Sequence, residues 1–86
     1  MMKKDDFNIA VVGLGYVGLP LAVELCKKYN VIGYDLDNTR VNELNSSYDR
    51  TNELSEYELS NQKNITISSN KKYIKNSNVY IITVPT

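Results

Sequence analysis

Apolar and polar positions fall into short blocks along this chain. Ile9-Ala10-Val11-Val12 is an unbroken apolar run, which reads as a strand over 8–12 buried on both faces. A helical pattern follows from about Tyr16 to Tyr29. Val17, Leu21 and Leu25 share one face, with Leu19, Ala22, Cys26 and Tyr29 flanking it and Glu24, Lys27 and Lys28 on the wet side. Pro20 sits inside that pattern, so either the first turn is irregular or one bond to the Tyr16 carbonyl is forgone. A second apolar run, Val31 to Tyr34, predicts a second strand, and Asp35-Leu36-Asp37-Asn38 offers capping side chains to a short helix buried through Val41 and Leu44. The chain then turns polar from Asn45 to Asn64, where Leu54 to Leu59 predicts a helical turn or two with Leu54, Tyr57 and Leu59 as its apolar side. Ile65-Thr66-Ile67 alternates as a half-exposed edge strand does, and Lys71 to Asn76 reads as a short basic helix or turn. Val79 to Val84 predicts a last strand as buried as the first. Strands alternating with helices imply right-handed crossovers and a parallel sheet, here in the order 3-2-1-4.

The turn after the first strand carries the chemistry. Gly13-Leu14-Gly15-Tyr16-Val17-Gly18 is a G-x-G-x-x-G motif placed between a strand and a helix. The first glycine serves the tight turn, the second admits a pyrophosphate close to the backbone, and the third lets the helix lie near its strand. The start of the helix adds unpaired N–H groups and a positive dipole end. Asp35 follows Gly13 by 22 residues, at the end of the second strand, where a carboxylate accepts the hydroxyls of an adenosine ribose. The bare alternative is a glycine turn that only packs helix on strand. The motif's flanking elements and the acidic residue together favour dinucleotide binding. Asp35 also favours NAD over NADP, because the 2′-phosphate of NADP would meet it with like charge. Arg40 is the counterweight: its guanidinium can stack on the adenine, bond to the ribose or accept that phosphate, or it is simply a solvated helix charge.

Composition narrows this picture without changing it. The chain has 86 residues, ten basic and ten acidic with zero net charge, no histidine and one cysteine. That allows one small domain, gives no basic stripe for nucleic acid, and leaves no imidazole for a zinc site or a catalytic triad. No apolar run nears the roughly 18–20 residues that span a bilayer, and no membrane partner is expected. The lone Cys26 lies at helical spacing among apolar residues and reads as core, so no catalytic residue is assigned. A complete doubly wound (Rossmann) domain has about six strands. Residues 1–86 supply four, and read as the N-terminal portion of such a domain truncated after the fourth strand. The last strand would then be an unprotected apolar edge, from which self-association is expected.

From Ile9 to Thr86 the chain resembles the UDP-glucose/GDP-mannose dehydrogenases. The resemblance rests on the run from Ile9 through Gly18 to Leu19-Pro20-Leu21-Ala22, on Gly33-Tyr34-Asp35-Leu36-Asp37 with Arg40-Val41, and on Thr83-Val84-Pro85-Thr86. The linker Asp49 to Ser55 looks like the branch acting on UDP-N-acetylhexosamines for surface polysaccharides such as O-antigen and capsule. The resemblance implies a cytoplasmic enzyme that oxidises the C6 alcohol of the sugar to a carboxylate with two NAD⁺. It places the nucleophilic cysteine and the UDP-sugar contacts in a C-terminal domain that these residues do not include, and Cys26 does not match that cysteine's motif. Onto this sequence it carries cofactor residues alone: Gly13, Leu14, Gly15, Tyr16, Val17 and Gly18 at the pyrophosphate, Asp35 and Arg40 at the adenosine, and Val84, Pro85 and Thr86 beside the cofactor. The alternative reading is a stand-alone NAD(H)-binding or sensing module without catalysis.

Overall fold

A computed structural model describes residues 7–83. The first strand, β1, runs Asn8–Val12 and the second, β2, Asn30–Tyr34, with helix α1 at Gly18–Cys26 between them. Helix α2 is Asn38–Asn45, helix α3 Glu56–Ser60 and strand β3 Ile65–Ser68. A 3-10 turn, Lys71–Ile74, leads to strand β4, Val79–Ile82. The four strands form one sheet in the order β3-β2-β1-β4, every pair parallel, as the alternation of strands and helices predicts.

Register decides which side chains share a face. Ile9 pairs with Val31 and Val79, and Val11 with Gly33 and Ile81, so these residues look to one side together with Ile65 and Ile67. On that side they pack with Leu14, with Leu19, Ala22, Val23 and Cys26 of α1 and with Leu44 of α2. This is the main core. Phe7 and Tyr29 close its lower end with an edge-to-face ring contact at 5.8 Å.

Several expectations need correction. Helix α1 begins at Gly18 rather than Tyr16 and ends at Cys26. The Leu19 and Leu21 amides donate to the Gly15 and Val17 carbonyls at 3.2 Å on either side of Pro20, so the one bond forgone is that to the Tyr16 carbonyl, as the sequence allows. The buried face is Leu19, Ala22, Val23 and Cys26, while Val17 is exposed and Leu21 only half-buried. The helix is rotated from the predicted face because Gly18 is pressed against the turn below it. Strand β4 is less buried than β1: Val79 and Ile81 join the core, but Tyr80 is 49% and Ile82 70% exposed on the other side of the sheet. On that side the Tyr80 hydroxyl donates to the Ile74 carbonyl of the 3-10 turn. In the polar segment, Ser55 caps α3 through a capping box with Glu58, and Leu54 and Leu59 reach the core while Tyr57 stays exposed.

Candidate functional site: the glycine turn at the carboxyl ends of the strands

The G-x-G-x-x-G segment lies at the carboxyl end of β1, where open parallel sheets bind ligands. Its three glycines meet different surroundings. Gly13 has φ +102°, a conformation other residues rarely adopt, and a Cβ there would stand 2.3 Å from the Thr83 carbonyl oxygen. At Gly18 a Cβ would fall 1.7 Å from the Gly13 carbonyl oxygen and 2.7 Å from Thr83 Oγ1. At Gly15 it would meet nothing within 4 Å. Two glycines are thus required by the protein's own packing, and the middle one leaves a backbone open on the outer side.

What surrounds that backbone suits an anion. Helix α1 starts there with no side-chain cap, and although the Leu19 N–H donates to the Gly15 carbonyl, its dipole end is not neutralised by a side chain. Tyr16 and Val17 are exposed, whereas Leu14 is fully buried and packs against Gly33. Leu14 therefore belongs to the site through its backbone. The Thr83 hydroxyl donates to the Gly13 carbonyl at 2.8 Å and ties the turn to the end of β4.

Asp35 is brought to this loop as the spacing predicts. Its Oδ2 accepts the Leu14 N–H at 2.9 Å, and its Oδ1 accepts the Asp37 N–H at 2.9 Å. A carboxylate has about four acceptor positions, so each oxygen keeps capacity for a hydroxyl of a vicinal diol. Asp37 in turn caps α2, accepting from the Thr39 and Arg40 amides.

Arg40 is no solvated helix charge. It is 5% exposed, and its side chain runs back beneath the glycine turn. Nε donates to the Leu14 carbonyl at 2.8 Å and Nη1 to Asp49 Oδ1 at 2.8 Å. Nη2 is buried with no hydrogen-bond partner among the described residues.

Asp49 was not predicted as part of the site, because it stands in a polar stretch that signals only a loop. It is 4% exposed and gathers five donors. Oδ1 takes Arg40 Nη1, the Thr51 amide at 3.0 Å and the Thr51 hydroxyl at 2.6 Å, and Oδ2 takes the Glu53 and Leu54 amides at 2.9 and 3.0 Å. Burial alone would push its carboxyl up; the bonds from the Thr51 hydroxyl, Arg40 and the Leu54 and Thr51 amides overcome this and hold its pKa at about 2. For Cys26 burial dominates and pushes the thiol up. Its sulfur contacts the Val23 carbonyl and Gln62, within the core and away from the glycine turn. Val84, Pro85 and Thr86 lie outside the described residues. A hollow lined by Asn8, Asn30, Lys63, Asn64 and Thr66 opens at the amino ends of the strands, the end opposite the glycine turn.

Comparison with known proteins agrees with this geometry. Residues 7–86 match the family described as "UDP-glucose/GDP-mannose dehydrogenase family, NAD binding domain". The chain is 53% identical over 79 residues to Protein CapL of Staphylococcus aureus, covering 92% of this chain and 18% of that protein. To the UDP-N-acetyl-D-glucosamine 6-dehydrogenase of Salmonella typhi it is 46% identical over 86 residues, covering 100% of this chain and 20% of that one. Among solved structures it matches the UDP-D-ManNAc dehydrogenase from Pyrococcus horikoshii with a TM-score of 0.81 at 32% identity, over 91% of this chain and 20% of that chain. The chain spans about a fifth of the length of the relatives it matches.

Proposed function

This chain belongs to the UDP-glucose/GDP-mannose dehydrogenase family, and we propose that it is the N-terminal part of the NAD-binding domain of a UDP-N-acetylhexosamine 6-dehydrogenase. Its cofactor is NAD. The open backbone at Gly15, beside the fixed Asp35 carboxylate, is the observation that carries the assignment of the site. Gly13 to Gly18 receive the pyrophosphate at the start of α1, and Asp35 accepts the ribose hydroxyls of the adenosine. Bound there, the cofactor supplies the hydride acceptor for oxidation of the sugar's C6 alcohol to the carboxylate, two NAD⁺ being consumed. The nucleophile and the UDP-sugar pocket belong to a separate domain. Accordingly the 86 residues alone, given NAD⁺ and UDP-N-acetylhexosamines, produce no NADH above blank. The whole reading frame in which they lie produces NADH and the uronate, detected by absorbance and mass spectrometry. A reading frame lacking a downstream sugar-binding domain and its cysteine would refute the enzyme assignment.

Two further points belong to this reading. The enzyme works in the cytoplasm, consistent with a single unpaired cysteine, and no described helix is long and apolar enough to cross a membrane. The isolated chain self-associates through β4, supported by the exposure of Tyr80 and Ile82 on a sheet face that monomers normally cover. Sedimentation over a concentration series should show a dimer that Ile82→Lys dissolves. A monomer at every concentration would refute this.

A further inference from the structure

Leu14 is held at both of its backbone polar groups. Its N–H is bound by Asp35, and its carbonyl by the Arg40 guanidinium. That carbonyl belongs to the peptide joining Leu14 to Gly15. In a trans peptide the C=O and the following N–H point in opposite directions, and no described peptide is cis. Fixing the Leu14 carbonyl inward on Arg40 therefore turns the Gly15 N–H away from it, at a residue where an added Cβ would meet nothing within 4 Å.

The guanidinium cannot leave that place easily. Its partner Asp49 is anchored by four other donors, from Thr51, Glu53 and Leu54, so the carboxylate has no freedom to swing away with it. The Arg40–Asp49 pair is nearly fully buried, with side chains 6% and 0% exposed. A buried ion pair is a weak source of net stability, and here it also tolerates an unpartnered Nη2. The pair's distinctive effect is geometric: it spans from the 49–54 turn to the glycine turn and holds a cation on the carbonyl of the same residue whose N–H Asp35 binds.

We propose that Asp49 is a positioning residue for the cofactor, one that keeps Arg40 on the Leu14 carbonyl. The clamp aims the Gly15 N–H at the pyrophosphate and withholds the guanidinium from the ribose 2′ position, leaving Asp35 to exclude a 2′-phosphate unopposed. This rests on the reading of the glycine turn as the NAD site.

The test uses the full 86-residue chain, with amide hydrogen exchange followed by NMR and with NAD⁺ and NADP⁺ titrated separately by calorimetry. In Asp49→Asn the Gly15 amide exchanges faster, NAD⁺ binds about tenfold more weakly, and the preference for NAD⁺ over NADP⁺ narrows about tenfold, the scale of one charged hydrogen bond. Adding Arg40→Gln to that variant restores the preference without restoring the affinity, because no cation is left to accept the phosphate. A purely structural pair would leave the preference between the two nucleotides unmoved. A folded Asp49→Asn with unchanged Gly15 exchange or unchanged preference overturns the proposal. Should Asp49→Asn fail to fold, Arg40→Lys decides. A lysine keeps the charge, but its compact ammonium does not reproduce the guanidinium's two-pronged grip, so Gly15 exchange rises while the preference is retained, and unchanged exchange overturns the clamp. Wild-type chain that binds neither nucleotide refutes the NAD-site reading itself, while the exchange comparison still judges the clamp.

Discussion

The glycines of the turn offer a direct separation of folding from binding. In Gly18→Ala the new methyl would lie 1.7 Å from the Gly13 carbonyl oxygen, 2.8 Å from the Gly13 carbonyl carbon and 2.7 Å from Thr83 Oγ1. An ordinary contact of this kind is about 3.5 Å, so α1 must retreat from the sheet by well over an ångström. Such overpacking costs roughly 1–3 kcal/mol and occasionally more. Alanine's better helix propensity returns at most about 1 kcal/mol, and less in the first turn. The clash is with backbone on a short turn and is hard to relieve, so the upper part of that range applies, with a net loss of about 2 kcal/mol. In a chain of this size that lowers the melting temperature by about 10 °C. Gly15→Ala is the opposite case. Its methyl meets nothing within 4 Å and its φ lies outside the left-handed region, so stability changes by no more than about 0.5 kcal/mol. The methyl instead occupies the space a pyrophosphate needs, and NAD⁺ affinity falls by at least about tenfold. Urea unfolding followed by circular dichroism gives the first quantity, and calorimetric titration gives the second. Gly18→Ala as stable as the wild type would refute the close approach of α1 to the turn. Gly15→Ala that binds NAD⁺ normally would refute the place assigned to the pyrophosphate.

Other expectations follow from the surrounding residues. Asp49 has a folded pKa of about 2 against an ordinary 3.8, so its contribution of about 2 kcal/mol is present above pH 4 and lost as pH falls toward 2. Urea midpoints at pH 5 and pH 2.5 should differ more in the wild type than in Asp49→Asn. Asp37→Ala removes the acceptor for the Thr39 and Arg40 amides and should cost about 1 kcal/mol in the same assay. Cys26, buried and with its thiol pKa raised, should react with a thiol reagent at neutral pH on the order of a hundredfold more slowly in the folded chain than in urea. Equal rates would place it at the surface.

Much of this architecture is legible where one local signal dominates. The apolar run Ile9–Val12 marks β1, the alternation at Ile65–Ile67 marks an edge strand, and the glycine spacing with Asp35 brings the loop and carboxylate together. Legibility fails where several answers satisfy the same pattern. Gly18–Cys26 is apolar on most sides, so periodicity alone does not say which face is buried. The contact of Gly18 with the Gly13 carbonyl chooses it, and that contact is tertiary. In β4 the run Val79–Ile82 looks uniformly apolar, yet only the alternate residues Val79 and Ile81 pack against the core. Asp49 is harder still. It is a charged residue in a polar segment, buried because backbone amides of its own turn and one distant arginine converge on it. Composition reports that segment as loop and is silent about which carboxylate the loop closes around.

The most direct test of the central claim is an NMR titration of the isotope-labelled 86-residue chain with NAD⁺, followed amide by amide. The account predicts saturable shifts concentrated at Gly13 to Gly18 and at Asp35 to Asp37, abolished at Gly15 by Gly15→Ala and weakened throughout by Asp35→Ala. Saturable shifts centred instead on the hollow at Asn8, Asn30 and Asn64, with the glycine turn unmoved, would contradict it.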